Sequence, residues 1–112
     1  MKKGEIWRVL VPPAPGHTQS GERPAIILQE ETFNKSLPTT LIVPLTSKLA
    51  ASRFDGTVVI QPDQTNGLTM ASVALVFQLR ALDKRHCLKS IGTLDTASLD
   101  QIFVLLDRLT GR

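Results

Sequence analysis

The sequence has a single cysteine, Cys87, among its 112 residues. This count excludes an internal disulfide and any cysteine-cluster metal site. Its two histidines, His17 and His86, are too few to indicate a zinc site. The chain also lacks a Walker loop, a dinucleotide-binding fingerprint, an HExxH sequence and a nucleophile elbow. We therefore expect neither a metal nor an organic cofactor, which argues against redox enzymes and nucleotide-cofactor enzymes.

Long hydrophobic runs are missing as well. No apolar stretch approaches the roughly 20 residues that span a bilayer. Glu5 and Arg8 interrupt the segment that would form the core of a signal peptide. We therefore expect a cytoplasmic protein. With 42% hydrophobic and 21% charged residues, the composition is typical of one globular domain, which we place at residues 1–112.

The chain has little excess charge of either sign. Its formal net charge of +3 is too small to identify an anionic partner by itself. The distribution is more informative, because residues 1–94 hold eleven of the thirteen Lys and Arg but only seven of the ten Asp and Glu. The basic excess therefore lies on the body of the domain and not on its C-terminal segment.

Short apolar segments separated by turn-forming residues predict a β-rich fold. Alternation and β-branched content predict strands over residues 4–11, 23–29, 39–46, 57–61, 72–82 and 88–94. The polar segment 30–36 is typical of a turn or a brief helix. Pro44, inside the third strand, indicates a bulge or a sheet edge, because proline lacks the donor of a strand ladder.

The C-terminal segment changes to helical spacing. Its apolar residues recur every three or four positions, at Leu99, Ile102, Phe103, Leu106 and Leu109. Asp95 or Thr96 supplies an N-cap oxygen, and Gly111 supplies a stop. We therefore expect a mainly β, α+β domain: a compact, twisted, mostly antiparallel sheet or small barrel closed by one C-terminal helix.

Three polar segments lie at the edges of the predicted strands. The first is the glycine-flanked loop of residues 16–24, which contains His17, Thr18, Gln19 and Arg23. The second consists of Thr46, Ser47 and Lys48. The third is Gln78 and Arg80, which a continuous strand would place on one sheet face, with the core side chains Val73, Leu75, Phe77 and Leu79 opposite. Hydroxyl, amide and guanidinium groups on one surface suit phosphate binding.

Each polar segment also has a purely structural interpretation. Arg23 can form an ion pair with Glu22 or Glu5. Thr46 and Ser47 can cap a turn through their hydroxyls. The third segment can be a solvated sheet face.

Together, these segments resemble the MazF/PemK family of toxin endoribonucleases. The resemblance is carried by Gly4-Glu5-Ile6-Trp7, Gly16…Gln19…Gly21…Arg23-Pro24, Val43-Pro44-Leu45-Thr46-Ser47 and Gln78…Arg80…Leu82-Asp83. These segments occur in the family's order and spacing. The amphipathic tail matches the family's C-terminal helix.

The resemblance implies an SH3-like β-barrel, a homodimer and metal-independent, sequence-selective cleavage of single-stranded RNA. It also implies a labile MazE/PemI-like antitoxin as partner. Cleavage of this kind uses the RNA 2′-hydroxyl, leaves a 2′,3′-cyclic phosphate and a 5′-hydroxyl, and inhibits translation and growth. The resemblance assigns Arg23 and Thr46 to the active site, with Ser47 assisting and His17 contributing in PemK-type members.

The chemistry of the side chains suggests how they would share this reaction. Histidine titrates near neutral pH, so His17 is the candidate acid or base. A guanidinium stays protonated, so Arg23 would bind the scissile phosphate. Thr46 and Ser47 would donate hydrogen bonds to phosphate oxygens. The remaining polar side chains would position the RNA strand or contact bases; they are Thr18, Gln19, Lys48, Gln78 and Arg80.

Two positions depart from the family pattern. Thr18 and Phe77 stand where many members carry an acidic residue, and both changes remove a carboxylate that could accept a proton. One alternative is therefore a weakened member that binds RNA or antitoxin without efficient cleavage. Another is a toxin that binds gyrase, as the similarly folded CcdB does, although such a protein would not need the basic and hydroxyl-rich surface.

Overall fold

The computed structural model describes residues 1–13, 16 and 21–112. In this part of the chain the strands are β1 (Glu5–Val11), β2 (Gly21–Ile27), β3 (Thr39–Thr46), β4 (Thr57–Ile60), β5 (Ser72–Leu75), β6 (Arg80–Asp83) and β7 (Cys87–Thr93). The helices are α1 (Glu31–Ser36) and α2 (Thr96–Leu109). Three 3₁₀ turns cover Leu49–Arg53, Val76–Gln78 and Lys84–His86. The prediction of a mainly β fold with one C-terminal helix is confirmed.

The strands form one antiparallel sheet. Its order is β4-β5-β3-β2-β1-β7, with β6 also paired to β3. Among the described residues β4, β6 and β7 each pair with a single strand, so the sheet is open and the expected barrel is not seen. Pro44 falls between the residues of β3 that pair with β6, up to Ile42, and those that pair with β5, from Leu45. The proline therefore lies where the partner strand changes.

Residues 42–46 of β3 are buried on both sides of the sheet, which explains the continuous apolar run from Ile42 to Leu45. Its Val43 pairs with Ile26 and belongs to a core that also contains Ile102 of α2. The neighbouring pair, Ile42 and Ile27, belongs to a second core on the opposite face. The sheet thus separates two apolar clusters, and α2 covers the first of them.

The predicted continuous strand over residues 72–82 is wrong, because the chain breaks at Val76–Gln78. The register with β3 explains the break. Val73 pairs with Thr46 and Arg80 pairs with Ile42, so seven residues must span a distance that four residues span in β3. The excess forms a 3₁₀ turn that interrupts the alternation. Phe77, expected in the core, is 38% exposed as a result.

Helix α2 has the ends that the sequence predicts. The Asp95 side chain accepts a hydrogen bond from the backbone N–H of Ser98 at 2.9 Å, as an N-cap does. Gly111 follows the helix with φ of 81°, a left-handed conformation that favours glycine. The apolar stripe packs on the first core, except that Leu109 is exposed. No helix within the described ranges has the length and apolar character to cross a membrane.

The turn after β6 predicts a specific loss of stability in acid. The Arg85 side chain donates from Nη2 to Asp83 Oδ2 at 2.9 Å, and its backbone N–H donates to Oδ1 at 2.8 Å. These bonds lower the pKa of Asp83 from 3.8 to about 2. A pKa below the unfolded value stabilises the fold above pH 3.8, and this contribution is lost as the pH falls through about 2.

We expect Asp83→Asn to reduce the pH dependence of the free energy of unfolding between pH 3.8 and 2. Urea denaturation at closely spaced pH values measures that slope. Arg85→Gln should reduce it less, because the backbone N–H of residue 85 remains as a donor. A wild-type slope in Asp83→Asn would contradict the assignment of this titration to Asp83.

Candidate active site

A groove with a volume of about 340 Å³ lies where β1, β2 and β3 meet the loop that precedes β5. One wall is formed by Arg8, Glu22, Arg23 and Pro24. The end of β3 and the next two residues, from Leu45 to Lys48, line it as well. The other wall is formed by Gly67, Leu68, Thr69, Met70 and Ser72, with Ile91 beside them. The second predicted segment and Arg23 of the first therefore share one surface.

Arg23 is held at the groove by its place in β2. It pairs with Val9 of β1, so its backbone is fixed by the central part of the sheet. Its Nη1 donates to the backbone carbonyl of Leu45 at 3.4 Å, which ties the guanidinium to β3. Partial burial lowers the pKa of Arg23 from its usual value, the direction expected for a cation removed from water. Arginine nevertheless stays protonated in proteins, so a fixed positive charge borders the groove.

Thr46 is the last residue of β3, and its side chain is almost buried at 6% exposure. Its Oγ1 accepts a hydrogen bond from the backbone N–H of Lys48 at 3.3 Å, so the turn-capping interpretation of this hydroxyl is confirmed. A hydroxyl that accepts one bond can still donate its own proton. Ser47 and Lys48 follow as exposed residues at the same end of the groove. The turn therefore presents hydroxyls and an ammonium beside Arg23.

Arg8 and Glu22 are groove residues that the sequence analysis missed. Glu22 pairs with Leu10, and Arg8 pairs with Pro24, so the two side chains are diagonal neighbours on one sheet face. Arg8 Nε lies 4.0 Å from Glu22 Oε1. The alternation of β1 and β2, combined with their register, would have revealed this pair. Among the described lining residues, the ionisable groups are therefore three cations and one carboxylate.

The sequence analysis also missed the loop wall, although the residue types of 62–67 (Pro, Asp, Asn and Gly among them) predict a turn there. Asn66, buried at 0% exposure, folds residues 61–68 around its own side chain. Its Nδ2 donates to the Gln61 carbonyl at 2.9 Å, and its Oδ1 accepts from the backbone N–H of Leu68 at 3.0 Å. The Thr93 N–H donates to the Thr65 carbonyl at 2.8 Å and joins the loop to β7. Turn-forming residue types predict a turn but not the strand on which it packs.

The third predicted segment is not part of the groove. Gln78 ends a 3₁₀ turn and Arg80 begins β6, so the expectation that they share one strand face is wrong. Neither residue lines the groove. The predicted site residues His17, Thr18 and Gln19 lie outside the described residues.

Cations and hydroxyl donors at the end of an antiparallel sheet define a groove suited to a polyanion. The chain matches the family described as "PemK-like, MazF-like toxin of type II toxin-antitoxin system" over residues 2–109. The protein therefore belongs to the PemK/MazF toxin family.

Individual members of this family resemble the chain over nearly its whole length. Endoribonuclease MazF of Staphylococcus saprophyticus is 27% identical over 111 residues, which cover 99% of this chain and 92% of that protein. The crystal structure of MazF (form I) from Deinococcus radiodurans superposes with a TM-score of 0.85 at 24% identity, over 100% of this chain and 97% of that one. A chain in the crystal structure of MazE–MazF (form II) from the same organism gives a TM-score of 0.79 at 24% identity, over 99% of this chain and 96% of that one. These likenesses confirm the predicted family and fold.

Proposed function

We propose that the protein is the toxin of a type II toxin–antitoxin system and cleaves single-stranded RNA as a sequence-selective endoribonuclease. One observation carries this proposal. Arg23 and the consecutive residues Thr46, Ser47 and Lys48 come from two separate parts of the sequence, and all of them line one groove. The endoribonuclease activity named for the staphylococcal relative supports the same reaction.

In the proposed reaction the RNA supplies its own nucleophile and no metal is required. The 2′-hydroxyl loses its proton and attacks the neighbouring phosphorus, and the bond from phosphorus to the 5′-oxygen breaks. The products are a 2′,3′-cyclic phosphate and a 5′-hydroxyl. Because DNA lacks the 2′-hydroxyl, it cannot react in this way. Cleavage of messenger RNA would inhibit translation and growth.

The groove residues have distinct roles in this proposal. Arg23 binds the non-bridging oxygens of the scissile phosphate and stabilises the charge that develops on the five-coordinate phosphorus. Thr46 and Ser47 donate hydrogen bonds to the same oxygens, and Lys48 binds a neighbouring phosphate. His17 acts as acid or base, and Thr18 and Gln19 contact bases. Gln78 and Arg80 lie outside the groove and would position the RNA strand beyond it.

We also propose a MazE/PemI-like antitoxin as the protein partner and a homodimer as the active form. The MazE–MazF complexes among the structural neighbours support the first of these. A small domain with exposed side chains such as Val104 and Leu88 would bury apolar surface by pairing, which supports the second. Light scattering at micromolar concentration tests the dimer, and a monomer would contradict it.

The activity is tested by incubating the purified protein with long single-stranded RNA in EDTA and mapping the ends. We expect discrete cuts with 2′,3′-cyclic phosphate and 5′-hydroxyl ends. An RNA with a 2′-deoxynucleotide at the mapped site should bind but resist cleavage. Retention of RNA without any cut would contradict the proposed enzyme, and so would trapping of gyrase on DNA without an RNA interaction.

A further inference from the structure

Glu22 is the one carboxylate among the described residues that line the groove. It lies one residue before Arg23 in β2, and its side chain is 54% exposed. Arg8 Nε lies 4.0 Å from its Oε1. The carboxylate is therefore accessible to a bound molecule and has a cation beside it.

A carboxylate is an unexpected component of a surface that binds RNA. It repels phosphates, so it lowers the affinity that Arg8, Arg23 and Lys48 provide. Arg8 offsets part of this repulsion through its ion pair. A role in binding alone therefore gives no reason for Glu22 to lie in the groove.

Attack by a 2′-hydroxyl requires a group that accepts its proton. Guanidinium and ammonium groups have no acceptor atom, which excludes Arg8, Arg23 and Lys48. The hydroxyls of Thr46 and Ser47 are weak bases. Among the ionisable groups described in the groove, only Glu22 can take the proton.

We propose that Glu22 is the general base for the 2′-hydroxyl, an assignment that rests on the proposed endoribonuclease function. A Glu22 oxygen removes the proton of the 2′-hydroxyl, and the 2′-oxygen forms a bond to phosphorus. The bond from phosphorus to the 5′-oxygen breaks, and the departing 5′-oxygen takes a proton from the acid, the role that remains for His17 in the proposed function. Water carries the proton from Glu22 back to that acid, which restores both groups. Arg8 is a positioning residue that directs the carboxylate into the groove.

The decisive comparison is between Glu22→Gln and the wild-type protein on an RNA whose cleavage site has been mapped. Glutamine keeps the size of the side chain but cannot accept the proton. We expect the single-turnover rate constant for cleavage to fall by about 10²–10⁴-fold, the usual contribution of a general base. The affinity for the same RNA with a 2′-deoxynucleotide at the cleavage site should be unchanged or higher, because a negative charge has been removed from the groove.

A second variant separates proton transfer from a structural role. Added formate should restore part of the rate of Glu22→Ala, because it supplies a carboxylate to the vacated space. Glu30→Gln is the matched control: Glu30 is 62% exposed, forms an ion pair with Lys3 at 3.3 Å, and does not line the groove. Its rate should equal that of the wild type.

The outcomes distinguish this inference from the proposed function. If the wild type cleaves RNA and Glu22→Gln cleaves it at the same or a higher rate, Glu22 is not the base, although the endoribonuclease function stands. A fall in rate that formate does not restore in Glu22→Ala also overturns the assignment. If the wild type leaves every RNA intact, both the function and the role of Glu22 fail.

Discussion

Replacing Arg23 with alanine is expected to lower the rate of RNA cleavage by about 10²–10³-fold, the usual cost of losing a preorganised donor to a developing oxyanion. The guanidinium borders the groove, and its hydrogen bond to the Leu45 carbonyl fixes its position before RNA arrives. A fixed charge stabilises the transition state without a reorganisation cost during the reaction. The measurement is single-turnover cleavage of a mapped RNA, together with affinity for its 2′-deoxy analogue.

The fold should survive this substitution. The Leu45 carbonyl loses one side-chain donor, and a typical hydrogen bond contributes about 1 kcal/mol to stability. Arg85→Ala is the matched control, because that arginine forms an ion pair with Asp83 on an exposed turn and does not line the groove. Arg23→Lys should recover only part of the rate, since an ammonium cannot bind two phosphate oxygens as a planar fork does. A wild-type rate in Arg23→Ala would exclude Arg23 from the chemistry.

Much of the fold follows from local patterns in the sequence. Strand β3 lies at residues 39–46, as predicted, because its β-branched and apolar residues are a local signal and most of them are buried. Helix α2 begins after Asp95, as predicted, because a cap and an apolar stripe are local features. The break at Val76–Gln78 has no such local signal. The break arises because β5 and β6 both pair with β3. This pairing cannot be predicted from the sequence of residues 72–82 alone.

The candidate site also combines residues that the sequence predicts with residues that only the structure reveals. Arg23 and Thr46 could be identified because they are polar residues at the ends of apolar strands. The opposite wall could not, because the loop's position depends on Asn66 and on the contact with β7. Glu22 differs from both groups. It lies next to Arg23 in the sequence, but its place in the groove depends on the register of β1 and β2. Residues whose roles depend on packing between distant segments require the structure.

Substituting Gly67 with alanine is expected to destabilise the fold by about 3 kcal/mol or more, and to distort the loop wall of the groove. Gly67 has φ of 71°, which strains any other residue by about 1 kcal/mol or more. A Cβ on Gly67 would lie 2.0 Å from the carbonyl oxygen of Ile91 and 2.7 Å from its carbonyl carbon. These are backbone atoms of β7, so no side-chain rotation relieves the clash, and overpacking of this kind costs about 1–3 kcal/mol.

Gly111→Ala separates the strain of a positive φ from the clash of the new Cβ with β7. Gly111 also has a positive φ, 81°, but a Cβ there would meet nothing within 4 Å. It should therefore show only the conformational cost, about 1 kcal/mol or somewhat more. Urea denaturation of both variants measures the difference. The affinity of Gly67→Ala for the 2′-deoxy RNA should also fall, because Thr69 and Met70 would move with the loop. If Gly67→Ala were no less stable than Gly111→Ala, the loop would be able to move away from β7 at little cost. The prediction that β7 holds the loop wall rigidly would then be wrong.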